Sequence, residues 1–168
     1  MSGLPDLSQV DDDAKHLANF LQAVLDKVVS TYASYGMPLP ARRYWTLGEP
    51  SIDCEQLVVS FLQMYVGSPG DEATQPRRCA DPRSATINIS VSRQVPTVGQ
   101  NGRPPSAETI EAGSRLSAYD AWVMMEGAAK FDAWEETGFG LGVIATVEVR
   151  TAEGGFQTAV LTMTAGVP

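Results

Sequence analysis

Between Ala85 and Ser92 the chain alternates without interruption: Ala85, Ile87, Ile89 and Val91 are apolar, and Thr86, Asn88, Ser90 and Ser92 are small and polar. A period of two sends one set to each side of a strand, so the segment predicts a half-buried antiparallel strand with one wet face. Its apolar face needs a cover. One cover runs from about Ser8 to Ser34, where Leu17, Leu21, Val24, Leu25, Val28 and Tyr32 make one helical stripe. Asp11, Asp12 and Asp13 suit its first turn, and Gly36 with Pro38 and Pro40 stops it.

A second helix is predicted over roughly Ala107 to Lys130, capped by Ser106, with Glu108 and Glu111 in its first turns. Its expected buried side is Ile110, Leu116, Tyr119, Val123 and Phe131, with Trp122 in the core and Gly113 and Gly127 allowing close packing on a sheet. Ile52 to Val66, rich in Val, Leu, Phe and Tyr, reads as one long strand. Val143, Ala145, Val147 and Val149 alternate against Thr146, Glu148 and Arg150, and a turn at Glu153, Gly154 and Gly155 leads into a last strand from Phe156 to about Thr164. The order helix, strand, strand, helix, strand, strand gives the expected class: α+β, an antiparallel sheet with the helices packed on one face, residues 1–168 forming a single domain.

At 168 residues and 43% hydrophobic content the chain can build its own core. No window approaches the apolar length of a membrane helix, and Met1 to Asp13 is acidic where a signal peptide is basic and then apolar, so a reducing cytosol is the expected setting. Cys54 and Cys79 lack the number for a disulfide framework and the spacing for zinc; two free thiols are expected, Cys54 within a strand. The net charge of −8 comes from the two helical regions, while residues 36–103 hold seven arginines against six acids. That balance disfavours tight duplex binding.

Two stretches, Gly67 to Arg83 and Val95 to Pro105, are rich in Pro, Gly and Arg and carry no period. Loops that long in a compact domain point to a partner surface. They hold Arg77, Arg78, Arg83 and Arg103; Arg42 and Arg43 stand beside Tyr44 and Trp45, whose rings suit either an interface anchor or a staple for the connecting loop.

Catalytic chemistry finds little to use. His16 is the single histidine, Cys54 is flanked by Asp53 and Glu55, which would raise a thiol's pKa, and the Asp11 to Asp13 run lacks the glycine and final glutamate of a calcium loop. The glycines of Gly138 to Gly142 lead into a strand, with no Lys-Ser or Lys-Thr of a phosphate loop. No enzyme activity, cofactor or metal is expected.

The run Leu39-Pro40-Ala41-Arg42-Arg43-Tyr44-Trp45-Thr46-Leu47-Gly48, then Asp53-Cys54-Glu55-Gln56-Leu57-Val58-Val59 and Pro82-Arg83-Ser84-Ala85, resembles head-to-tail connector proteins of long-tailed phages that infect actinobacteria. Arg93-Gln94-Val95-Pro96, Gly102 and Pro104-Pro105-Ser106 extend the likeness over most of residues 38–130. The element order is also similar to that of phage tail terminators. The resemblance implies a structural virion protein, made in the host cytoplasm and located in the virion's neck. Its copies would form a homohexameric ring that caps the tail tube and joins it to the connector or stopper protein. Alternatives are another connector component, stopper or adaptor, and a small-molecule-binding α+β domain. In the ring reading Arg42, Arg43, Tyr44, Trp45, Arg77, Arg78, Arg83 and Arg103 face partners. Glu108, Glu111, Glu135 and Glu136 are candidates for a lumen wall that lets DNA pass without holding it.

Overall fold

The computed structural model describes residues 12–70, 83–98, 102–129 and 144–167. Its elements are α1 (Asp12–Ser34), β1 (Arg42–Leu47), β2 (Gln56–Val66), β3 (Arg83–Gln94), α2 (Ala107–Ala129), β4 (Ile144–Val149) and β5 (Phe156–Val167). The five strands form one sheet in the order β1-β2-β3-β5-β4. The α+β class stands, but the sheet is mixed: β1 runs parallel to β2, and the other pairs are antiparallel. β1 lies where a strandless connector was expected. It escapes a search for apolar period because it is short and exposed at the sheet's edge, although Tyr44, Trp45 and Thr46 between Pro40 and Gly48 are good strand formers. The strand expected from Ile52 starts only at Gln56, because 48–55 carries the chain over to begin β2 beside β1.

Both helices cover one face of the sheet. In register across β2, β3 and β5, Leu57, Val91 and Ala159 form one row, Val59, Ile89 and Leu161 the next, and Phe61, Ile87 and Met163 a third. The α1 stripe closes over them with Phe20, Leu21, Val24, Leu25, Val28 and Tyr32 all buried. Each such side chain contributes about 1.5–3 kcal/mol on leaving water. The helix ends where Gly36 takes a φ of 63°, with Met37 N–H bonding Tyr32 C=O at 3.0 Å and Gly36 N–H bonding Ala33 C=O at 3.1 Å, a paired C-terminal cap.

α2 begins as the sequence predicts, with the Thr109 N–H donating to Ser106 Oγ at 3.2 Å. Its buried side follows the prediction at Val123 but not at Ile110, Tyr119 or Trp122. Ser117, Asp120, Val123, Met124 and Gly127 face inward, whereas Ile110, Tyr119 and Trp122 are exposed, Trp122 by 51%, and Leu116 is half-buried. The inward positions recur at helical spacing, but two are polar, which hides them from a hydrophobic period. Phe131 lies outside the described residues. Nor do the glycines meet the sheet: Gly127 sits against Thr31 of α1, and Gly113 beside Pro96.

β3 departs from its expected wet face, since ten consecutive residues, Ser84 to Arg93, are buried. It is the central strand, so its small polar side chains are enclosed by neighbours and three of them bond hydroxyls of β5. Thr86 and Thr164 hydroxyls lie 3.1 Å apart, those of Ser92 and Thr158 3.0 Å apart, and Thr162 donates to Asn88 at 2.8 Å. The 48–55 crossover lies over this face. Pro50 and Ile52 there help to line a partly open cavity of about 100 Å³ with Ser60, Asn88 and Ser90.

One charged group interrupts the apolar layer between helices and sheet. Arg93 and Asp120, 6% and 1% exposed, form a two-pronged pair: Nε to Oδ2 at 3.0 Å and Nη2 to Oδ1 at 2.9 Å. Tyr32 donates to Asp120 Oδ1 at 2.9 Å, and Arg93 Nη2 also donates to Pro38 C=O at 2.7 Å. Burial works against the guanidinium charge, yet the hydrogen bonds and charge of Asp120 outweigh it and hold Arg93 above its ordinary range. Burial, and then the same carboxylate, push the Tyr32 phenol far above its usual range. The cluster ties β3, α2, α1 and the segment entering β1 at one point.

Replacing Asp120 with Ala strands a buried guanidinium, so the chain should lose about 3–5 kcal/mol of stability, read as a lower urea midpoint. Arg93→Met with Asp120→Leu should restore most of that loss. A single-variant loss under about 1 kcal/mol would mean that water solvates the pair.

Candidate interaction surfaces

The sheet's β1 edge carries four of the predicted partner residues. Arg42 and Tyr44 point to the helix-free side, and Arg43 and Trp45 to the helix side, following the register of β1 on β2. Arg42 Nη1 donates to Asp53 Oδ1 at 2.7 Å and reaches Cys54 Sγ at 3.5 Å, while its guanidinium lies 5.1 Å from the Tyr44 ring centre. Asp53, Cys54 and Glu55 form the bend before β2, so Cys54 is a half-buried bend thiol and not the strand thiol expected. The hydrogen bond from Arg42, and then that with Cys54, hold the Asp53 carboxyl below its ordinary range. The bond to Cys54, followed by that to Asp53, raises Arg42.

Tyr44 Oη donates to Gln56 Oε1 at 3.3 Å, and Trp45 Nε1 donates to Gln22 Oε1 of α1 at 3.2 Å. Tyr44 is thereby half a staple, whereas Trp45, Arg43 and Leu47 remain exposed, Leu47 by 67%. No hydrogen bond or ion pair engages the Arg43 side chain among the described residues. The β1 edge therefore presents a cation and two large apolar groups on its helix side.

The other predicted arginines are not gathered there. Arg83 is exposed but opens β3 and does not hang in a loop; it pairs with Val66, ten residues along β2 from the Gln56 partner of Arg42, a separation of about 33 Å. Arg103 is exposed ahead of the α2 cap. The start of that second arginine-bearing stretch is packed, with Val95 N–H bonding Gly155 C=O at 2.9 Å. Arg77, Arg78 and Cys79 lie outside the described residues, as do Glu135, Glu136 and the 138–142 glycines. Glu108 and Glu111 are exposed, and Glu111 pairs with Arg115 at 2.7 Å one turn on.

A second exposed surface lies where Trp122, expected in the core, stands open to solvent. Tyr35, Met37, Ala118, Tyr119, Trp122 and Val123 line an open groove of about 540 Å³ where the end of α1 meets α2. Tyr35 and Trp122 meet edge to face at 4.9 Å. The signal was Gly36: a helix that stops there leaves Tyr35 standing beside α2. Among the described residues no three His, Cys, Asp or Glu side chains cluster as metal ligands, and no helix is long and apolar enough to cross a membrane. No protein-family model and no curated protein sequence matches the chain.

Trp122→Ala should cost about 1 kcal/mol, the scale of one aromatic pair, where a buried tryptophan would cost about 3–5 kcal/mol; urea titration separates the two. The Asp53 carboxyl should titrate by NMR below the ordinary aspartate value and rise toward it in Arg42→Ala. Its depressed pKa means that the contact helps the fold above the ordinary carboxylate pKa and stops helping as pH falls through the lowered one. An unchanged Asp53 titration in the variant would show that the pair does not persist in solution.

Proposed function

We propose that this protein is a structural subunit of a virion, a tail terminator whose copies form a ring that caps the tail tube and joins it to the head-tail connector. The observation that carries the reading is where the family-like residues fall. Leu39 to Gly48 and Asp53 to Val59 hold β1, the bend and the start of β2, so the arginines and aromatics of that motif decorate an exposed edge strand. Arginine and aromatic side chains concentrate at the anchoring points of protein interfaces. The groove at Tyr35 and Trp122 is a second, different apolar surface. Two unlike contact surfaces on one subunit suit a head-to-tail ring.

An open five-stranded sheet with two helices on one side favours a terminator over a stopper, for which more barrel-like strand structure is expected. In the ring, Glu108 and Glu111 of α2 face the lumen, together with Glu135 and Glu136 from outside the described residues, and repel the passing phosphates, letting DNA slide.

Native mass spectrometry of connector-tail complexes should count six copies, and three or twelve would overturn that stoichiometry. Arg43→Ala should leave the melting temperature unchanged while reducing ring-bearing tails. A variant that melts early would make Arg43 part of the fold instead. An arginine-lined channel in a map of the assembled ring would overturn the sliding lumen.

A further inference from the structure

The two outer edges of the sheet match each other. β1 and β4 are each six residues long, and both are exposed along most of their length. Following the pairings from β1 parallel to β2, then antiparallel through β3 and β5 to β4, leaves β1 and β4 pointing in opposite directions. If a second copy is laid beside the first with the same face up, its β1 therefore meets β4 antiparallel, the better-bonded arrangement.

The backbone groups also agree. Arg150 N–H bonds Thr158 C=O at 2.8 Å, which fixes Glu148, Thr146 and Ile144 as the β4 residues bonded to β5. Ala145, Val147 and Val149 then turn their N–H and C=O groups outward. On the other edge, Gly48 N–H bonds Phe61 C=O at 2.8 Å, so Thr46, Tyr44 and Arg42 face β2, and Arg43, Trp45 and Leu47 point their backbone groups outward. These same residues carry their side chains on the helix side: Trp45 is in register with Val59 and Val147 with Leu161, both in the core. In strands of L-residues the direction of the chain and the side-chain face fix the side to which N–H and C=O point, so edges that meet antiparallel with the same face up keep the helix layers of the two copies on one side. Among the described residues no other backbone group bonds to the outward side of either edge; the Leu47 C=O accepts only a long contact from Thr46 Oγ1 at 3.4 Å.

We infer that copies of this chain associate head to tail by adding the β1 of one to the β4 of the next, with Trp45 opposite Val147, Leu47 opposite Ala145 and Arg43 opposite Val149. This register covers the exposed apolar side chains of both edges, Leu47, Trp45, Val147 and Val149, with aromatic and β-branched groups across from each other. Sliding by two residues would set Arg42 across from Glu148 but leave Leu47 beyond the end. That exposed ion pair gains little, because Arg42 already holds Asp53 and Glu148 already holds Arg150. Pairing β1 with a second β1 would set Arg43 of each copy across from Leu47 of the other and leave Val147 and Val149 uncovered, whereas the register chosen brings Arg42 across from Arg150, each already paired with a carboxylate of its own chain. The contact satisfies edges that otherwise invite aggregation. It deepens the ring reading, resting on that reading only for closure of the row of copies into a ring.

Thr46 and Thr146 would face each other in a non-bonded pair with Cα atoms about 4.5 Å apart, within disulfide reach. In a Cys54→Ser, Cys79→Ser background, Thr46→Cys with Thr146→Cys should give an oxidised ladder of dimers and larger species, and neither cysteine alone should. Dimers from Thr46→Cys alone would overturn the proposal in favour of a two-fold β1 contact, and no cross-link in a chain with the parent's melting temperature would overturn it outright. Val147→Pro, which removes an outward N–H and no β5 bond, should melt normally and lose association by light scattering; association at the parent's level would count against the edge contact. Electron micrographs of tails separate the two claims. A terminal ring without the cross-link leaves the tail role standing and removes this contact, while a ladder from a protein missing from tails keeps the contact and removes the role.

Discussion

The buried Arg93 and Asp120 pair is the constraint on which the remaining structure depends. A guanidinium and a carboxylate shut away from water are tolerated only when nearly every donor and acceptor is met, and here Tyr32 and the Pro38 carbonyl complete the set. Meeting those demands fixes α1 and α2 relative to β3, and fixes the height at which the chain leaves α1 for β1. A hydrophobic layer alone would leave the helices freer to slide, because apolar contact is non-directional. The cluster thus links core packing to the placement of the edge strand that bears the candidate contact residues.

With the helices held on one face, the sheet is left with two lateral edges and one further face. The face is occupied by bonded hydroxyls and the 48–55 crossover, which shelters Ser60, Asn88 and Ser90. Among the described residues neither edge has such a cover. β1 exposes Arg43, Trp45 and Leu47, and β4 exposes Val147 and Val149. Natural edges are usually blunted with charge, proline or a bulge; here Arg43 is the only charge among the outward-pointing residues of the two strands. Among the described residues the exposed apolar and cationic groups are spread over a strand, a groove and the sheet's margins.

Much of this was legible in the sequence. The α1 stripe, the glycine that stops it, the Ser106 cap, the alternation of β3 and the β4–β5 hairpin all carry local signals, and each element is present. What was illegible is long-range. That β1 runs parallel to β2 depends on the path of 48–55, which no periodicity encodes. The inward side of α2 was misread because Asp120 and Ser117 occupy core positions, and their partners, Arg93 and Gln157, are distant in sequence. A buried ion pair looks like two surface charges until both ends are placed. For the same reason Trp122 was assigned to a core it does not enter, and the groove it helps form went unseen. Of the candidate site, the Arg42 to Trp45 cluster was visible from composition, while its position on an open edge was not.

The most direct measurement of the central claim, that this fold holds two matched and open sheet edges, is residue-resolved amide hydrogen exchange of the dilute and the concentrated protein. In dilute protein, Arg43, Trp45, Leu47, Ala145, Val147 and Val149 should exchange rapidly while Tyr44, Thr46, Thr146 and Glu148 are protected. Concentration should slow the first set selectively on both strands. Equal protection of both sets in the dilute protein, or slowing confined to one edge, would contradict the account.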